Sequence, residues 1–167
     1  MTVKPINHSY RRRTNGTSLT GGKGMGYVYA EIQLTNEDDL AFHRRGWAAE
    51  NEIRRVKTRA LVDSAAYDLI INKDTQDQLE LPVLGRRAIR LADESIIEVD
   101  IVGPVEVRFE TATTTVRALV LPDTEEVLLG AIPLEGLDVI IDPLRERLLV
   151  SPPEMTNAKV KHVAWVN

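Results

Sequence analysis

One acid in this chain stands where buried chemistry could use it. Asp63 follows the apolar run Ala60-Leu61-Val62 and precedes the small residues Ser64, Ala65 and Ala66, with Asp68 and a second apolar run, Leu69-Ile70-Ile71, close behind. A carboxylate at the end of a buried strand is costly unless it is hydrogen-bonded, paired or used to move protons. Small residues after it let a backbone or a ligand approach closely. The plainer alternative is a strand-ending acid tied to backbone amides in an Asx-turn.

Other chemistries find little support. The chain has no cysteine, which excludes disulfides, thiol nucleophiles and thiolate-bound zinc. His8, His43 and His162 are scattered and form no HExxH-like pair, so no metal site is expected. Gly21-Gly22-Lys23-Gly24 looks superficially like a phosphate loop, but no Ser or Thr follows the lysine and no buried strand precedes it. Arg44-Arg45 and Arg86-Arg87 read as solvated charge, with contact to an acidic peptide as the alternative, and Trp47 and Trp165 as packing anchors.

The elements that must position Asp63 are mostly strands. Tyr27 to Leu34 alternates apolar and polar residues, as a half-buried strand does, and Val56 to Val62 is a second strand ending at Asp63. Thr35 to Arg54, between them, reads mainly as a long connection with room for a short helix near Asp38 to Arg44. After Leu69-Ile70-Ile71, Asn72 is placed to cap a small helix that runs through Asp74 to Leu79 and stops near Pro82. Arg87 to Leu91 and Ser95 to Val102 form an expected hairpin around Ala92-Asp93-Glu94, and Pro104 to Phe109 with Thr113 to Leu121 a second. Val127 to Leu129 is an apolar strand ending at Gly130. A short helix over Leu134 to Ile140 and a last strand over Arg147 to Val150 complete the pattern. Short strands at close spacing, with turn residues between them, imply a mainly β fold closed into a barrel or sandwich.

A chain of 167 residues with 43% hydrophobic and 28% charged residues suits one soluble domain with a tail or two. No apolar run approaches the ~20 residues that span a bilayer, and cytoplasmic residence is the default expectation. The net charge of −4 conceals an asymmetry. Residues 1–26 carry five basic side chains (Lys4, Arg11, Arg12, Arg13 and Lys23) and no acid, leaving 16 bases against 25 acids in the remainder. We therefore divide the chain into a basic flexible leader (1–26), a β domain (27–151) and a C-terminal tail (152–167). The leader reads first as a solvated segment, and nucleic-acid contact, if any, would come through it.

The order of these pieces, from Tyr27 to Val150, resembles the retropepsin-like aspartic proteases, in particular the small bacterial proteins of that superfamily. Leu61-Val62-Asp63-Ser64-Ala65-Ala66 is similar to the family's hydrophobic-Asp-Ser/Thr-Gly-Ala/Ser. Leu128-Leu129-Gly130-Ala131 is similar to its hydrophobic-hydrophobic-Gly, which packs against the first motif. The resemblance implies a closed acid-protease barrel in which each chain supplies half a site, because Asp63 is the only aspartate followed by Ser or Thr and two small residues. Two copies of Asp63 would meet on the two-fold axis of a homodimer and share one proton, since like charges so close cannot both ionise. Ser64 would brace the two loops across the axis. Ala65, Ala66 and Asp68 would line the substrate, and Asp93, Glu94 and Ser95 would form the tip of a flap closing over it. No metal or organic cofactor is implied; the partner would be a peptide or unfolded protein, and no membrane.

In one position this chain departs from the family pattern: Ala65 stands where the family has glycine. With a negative φ the cost is a methyl group in the cleft; with a positive φ it is ~1 kcal/mol or more of strain. The first expectation is an aspartic endopeptidase, and the alternative is a catalytically silent peptide-binding or assembly module of the same fold.

Overall fold

The computed structural model describes residues 26–91 and 93–152. Residues 1–25 of the basic leader, Ala92 of the expected hairpin tip and residues 153–167 of the tail lie outside the described residues.

Strand β1 (Val28–Asn36) buries Val28, Ala30, Ile32 and Leu34 and alternates them with Tyr29, Glu31 and Gln33. It pairs antiparallel with β2 (Arg55–Val62), from Val28 opposite Val62 to Thr35 opposite Arg55. The excursion between them is more ordered than a long connection. Helix α1 (Glu37–Arg44) opens on Asn36, whose side chain accepts from the amides of Asp38 and Asp39. Three acids in its first turn and His43 with Arg44 in its last complement the helix dipole. A single 3-10 turn follows at Glu50–Glu52.

Strand β3 (Leu69–Ile71) leads to α2 (Lys73–Leu79), capped by Asn72 as expected, its side chain accepting from the Thr75 amide at 2.8 Å. Then come β4 (Val83–Arg90), β5 (Ile96–Phe109), β6 (Ala112–Val120) and β7 (Val127–Leu129). Helix α3 (Ala131–Leu137) and the pair β8 (Val139–Asp142) and β9 (Arg147–Val150) end the described chain. The hydrogen-bonded order β1-β2-β7-β3-β6-β5 closes on itself through pairing of β5 with β1, so six strands form a barrel and β4 hangs on the first half of β5. The mainly β, closed-barrel class expected from the sequence is the observed one.

Three expectations need correction. Ser95 to Val102 and Pro104 to Phe109 are one 14-residue strand, β5, because Gly103 and Pro104 sit at a register shift rather than in a turn. Gly103 there has φ 143°, open to glycine, and proline is tolerated at such irregularities. The helix placed over Leu134 to Ile140 is α3, three residues earlier, and Val139 and Ile140 belong to β8. Pro133 fits a first helical turn, where its missing N–H costs nothing, and Asp138 ends the helix at φ 52°. Strand β4 begins at Val83 rather than Arg87. As an edge strand it leaves Val83 and Leu84 exposed, so no burial pattern marks its start.

The strands separate two cores. Leu34, Leu69, Ile71, Val102, Val107, Val127 and Leu129 point into the barrel. Ile70, Leu119 and Leu128, from the same strands, point outward and are covered by Ile89 and Val99 of the β4–β5 hairpin. Strands β3 and β7 are thus buried on both faces, which is why they read as unbroken apolar runs.

At the far end from Asp63, Asp39 is buried at 6% exposure and accepts the backbone amide, Nε and Nη2 of Arg54. Arg54 also reaches Glu80, and Asn36 donates to the Leu79 carbonyl at 2.9 Å, so α1, β2 and α2 are joined there. The Arg54 side-chain bonds hold the Asp39 carboxyl below its ordinary range, against the opposing effect of burial. A carboxyl lowered on folding adds stability above its unfolded value, about 3.9, and loses it as pH falls through the folded one. Asp39→Asn should therefore cost about 2 kcal/mol at pH 7, the worth of a hydrogen bond to a charged group. Urea unfolding at pH 7 and pH 3 should show that difference shrinking at the lower pH.

Candidate active site

Strands β2 and β7 run parallel, with Ala60, Leu61 and Val62 opposite Val127, Leu128 and Leu129. Strand β3 lies on the other side of β7, antiparallel to it, with Leu69 opposite Leu129. Residues 63–68 leave β2 and return as β3, so they must cross the end of β7. Gly130 sits under that crossing. A Cβ built on it would lie 2.4 Å from the Asp68 carbonyl oxygen and 2.8 Å from the Tyr67 carbonyl carbon, where no side chain fits. The first two amides of α3 then donate into the loop, Ala131 to the Ala66 oxygen at 2.8 Å and Ile132 to the Tyr67 oxygen at 2.9 Å. The Asp63 amide donates to the Leu129 oxygen at 3.1 Å. Leu128, Leu129 and Gly130 thus lie directly against the loop that carries Asp63.

Within the loop, Asp63 is half-buried. Its Oδ1 accepts the Ala65 amide at 2.9 Å, and its carbonyl accepts the Ala66 amide at 3.2 Å. This is the Asx-turn of the plainer reading, and it also fixes how the carboxylate is presented. Ser64 and Ala65 are exposed, and Ala66 is buried. The non-glycine residues with positive φ among the described residues are Glu80, Glu94, Glu110, Asp138 and Glu146. Ala65 is not one of them. Alanine at this position therefore carries no left-handed backbone strain, and what it adds over glycine is one exposed methyl group beside the acid.

Asp68, expected near a substrate backbone, accepts a bond from Arg87 Nη1 at 3.1 Å. That pair ties the Asp63 loop to strand β4. Reading Arg87 as solvated charge missed this, although a signal was present: with a period of two, Arg87 shares a face with the buried Ile89. Arg86, on the other face, pairs with Asp100 at 3.2 Å and with Glu98 at 3.6 Å. At the hairpin tip Asp93, Glu94 and Ser95 are all exposed. The Ser95 amide donates to Asp93 Oδ1 at 3.0 Å, and Glu94, at φ 69°, meets Arg90 at 3.0 Å. The Ser95 hydroxyl, followed by its amide, holds the Asp93 carboxyl below its usual range. These side chains organise the tip itself. Tyr67, which sequence reading did not single out, is exposed at 48% and Ile132 at 50%, on segments joined by a backbone hydrogen bond.

No family model and no curated protein matches the chain. Among solved structures it is similar to the retroviral protease-like domain of Ddi1 from Leishmania major, at 17% identity and a TM-score of 0.46, over 74% of this chain and 89% of that one. No helix among the described residues is long and apolar enough to cross a membrane.

The close approach at Gly130 generates a prediction. Gly130→Ala must push α3 and the 67–68 backbone apart, an overpacking cost of about 1–3 kcal/mol. Denaturant unfolding should register that loss, and amide exchange at Ala131 and Ile132 should accelerate by more than exchange in β5.

Proposed function

We propose that this protein is an aspartic endopeptidase that works as a homodimer, with Asp63 of each subunit supplying one carboxyl of the catalytic pair. The observation that carries this reading is the setting of Asp63: a half-buried carboxylate at the end of a barrel strand, oriented by the Ala65 amide, in a loop pinned by Gly130 and the start of α3. The described chain offers one such loop, so a second copy is needed to complete the pair. One ionised carboxylate takes a proton from a water molecule, which attacks the peptide carbonyl, while the protonated partner donates a hydrogen bond to the carbonyl oxygen. The pair titrates as a unit. Ser64, exposed next to Asp63, would bond across the two-fold axis. An extended segment of peptide or unfolded protein would lie in the cleft as an added strand beneath the β4–β5 hairpin, whose tip carries Asp93, Glu94 and Ser95. Asp68 acts indirectly here, holding β4 through Arg87.

The silent-module alternative loses the argument from backbone strain at Ala65 and keeps only the added methyl. Purified protein incubated with a denatured protein at acidic and at neutral pH should cleave it. Asp63→Asn should lower the rate by at least the ~10²–10⁴-fold attributed to general acid–base catalysis while leaving the sedimentation behaviour unchanged. Equal cleavage by both proteins would reject the reading. Activity absent in the parent chain and gained in Ala65→Gly would assign the protein to the silent class.

A further inference from the structure

On strand β6 the period of two turns Thr113, Thr115 and Arg117 to the exposed face, and Val116 and Ala118 to the barrel. Leu119, next on the outer face, lies under the β4–β5 hairpin, but Arg117 is exposed beyond that cover. There the surface holds a groove of about 330 Å³. Leu69, Pro104 and Ile132 give it apolar walls, Thr115 a hydroxyl, and Asp68 and Arg117 its charges. Two of these belong to the segments around Asp63: Asp68 to the loop itself and Ile132 to the start of α3.

Arg117 stands apart from the other described arginines. Arg45 and Arg59 lie over the rings of Trp47 and Tyr29, and the rest pair with carboxylates. Arg117 has neither kind of partner among the described residues. The acids near it in register are engaged elsewhere. Asp68, just ahead of Leu69 in the parallel β3–β6 register, holds Arg87 at 3.1 Å, and Glu106, opposite Thr115, holds Arg108 at 3.4 Å. A positive charge is left uncompensated at the groove.

We propose that this groove holds an acidic side chain of an extended peptide, its carboxylate on Arg117 and Thr115 and an apolar side chain two residues away on Pro104 and Ile132. A guanidinium presents its donors in a planar fork that matches a carboxylate. The apolar walls suit a peptide and give a free inorganic anion nothing to bind, and the Asp68 charge repels a doubly charged phosphate more than a single carboxylate. Selectivity is a difference: a glutamine of the same shape leaves the guanidinium without a counter-charge. Where the peptide is a substrate, Arg117 is a specificity residue, and that part rests on the reading of Asp63 as a protease acid. The binding does not.

The test uses Asp63→Asn, in which a bound peptide stays intact. Its amide NMR spectrum is titrated with a short serine-rich peptide carrying Leu-Ser-Glu-Ser-Leu, with the same peptide carrying glutamine for glutamate, and with inorganic phosphate. The glutamate peptide should shift the amides of Thr115, Arg117 and Ile132. It should also bind about three- to five-fold tighter than the glutamine peptide, as a partly exposed ion pair allows. Added salt should narrow that difference. Arg117→Met should abolish it and leave the affinity for the glutamine peptide unchanged. Equal affinities for the two peptides, or shifts confined to other residues, would overturn the proposal. So would phosphate producing the same shifts at the same concentration, which would make this a simple anion site. With Asp63 restored, Arg117→Met should lower kcat/KM for the glutamate peptide by the same factor and leave that for the glutamine peptide unchanged. A protein that binds with this preference and cleaves neither peptide would count against the reading of Asp63 and not against the groove.

Discussion

Because β2 and β7 run side by side and parallel, they end at one level, and the chain leaving β2 has to pass over the end of β7 before it can return as β3. That crossing governs the rest of the molecule. It is possible only with the backbone of residue 130 nearly touching the backbone of Tyr67 and Asp68, a contact that a Cβ would forbid. Once made, it leaves two amides at the start of α3 facing two carbonyls of the loop, and each is satisfied. The same geometry orients the Asp63 carboxylate, whose Oδ1 accepts the Ala65 amide.

The two hydrophobic cores follow from the same arrangement. A closed barrel buries one face of each strand, and the β4–β5 hairpin folds over part of the other face, so β3 and β7 are sheathed twice. Strands β3 and β7, which lie beside the Asp63 loop, are thus among the most buried in the protein, with Leu69, Ile71 and Leu129 wholly inaccessible. The hairpin is joined to the loop by the outer core and by the Arg87–Asp68 pair. The pair is exposed enough at the arginine for solvent to screen it, so the packing of Ile89 and Val99 carries the larger share of the attachment. The described residues of the tip make local hydrogen bonds, the Glu94 amide to the Leu91 carbonyl and the Ser95 amide to Asp93.

Ala65 illustrates how a substitution read from sequence changes meaning once its backbone is known. Where glycine is usual, alanine signals trouble if the position is left-handed, and left-handed positions do occur here in Glu80, Glu94 and Asp138 without any glycine. At residue 65 the backbone is not in that region. What remains is steric, one methyl group on an exposed turn next to the acid.

The strands around Asp63, the cap at Asn72 and the apolar-apolar-glycine run were legible in the sequence because each is a local signal: alternation, a capping side chain, a run of branched residues before a small one. The class of fold followed from their number and spacing. Legibility failed where the decisive neighbour lies far along the chain. Gly103-Pro104 reads as a turn until β1 and β6 are seen to hold both halves of β5 in register. Asp39 and Arg54 are two charges among many in a polar stretch, and only the folding of α1 against β2 buries one upon the other. Asp68 and Arg87 are far apart in the sequence, and only the placing of β4 beside the loop pairs them. Composition and periodicity report what each segment prefers for itself. Which charge meets which, and whether a given backbone angle is strained, depends on contacts between segments that pair only after the barrel has closed.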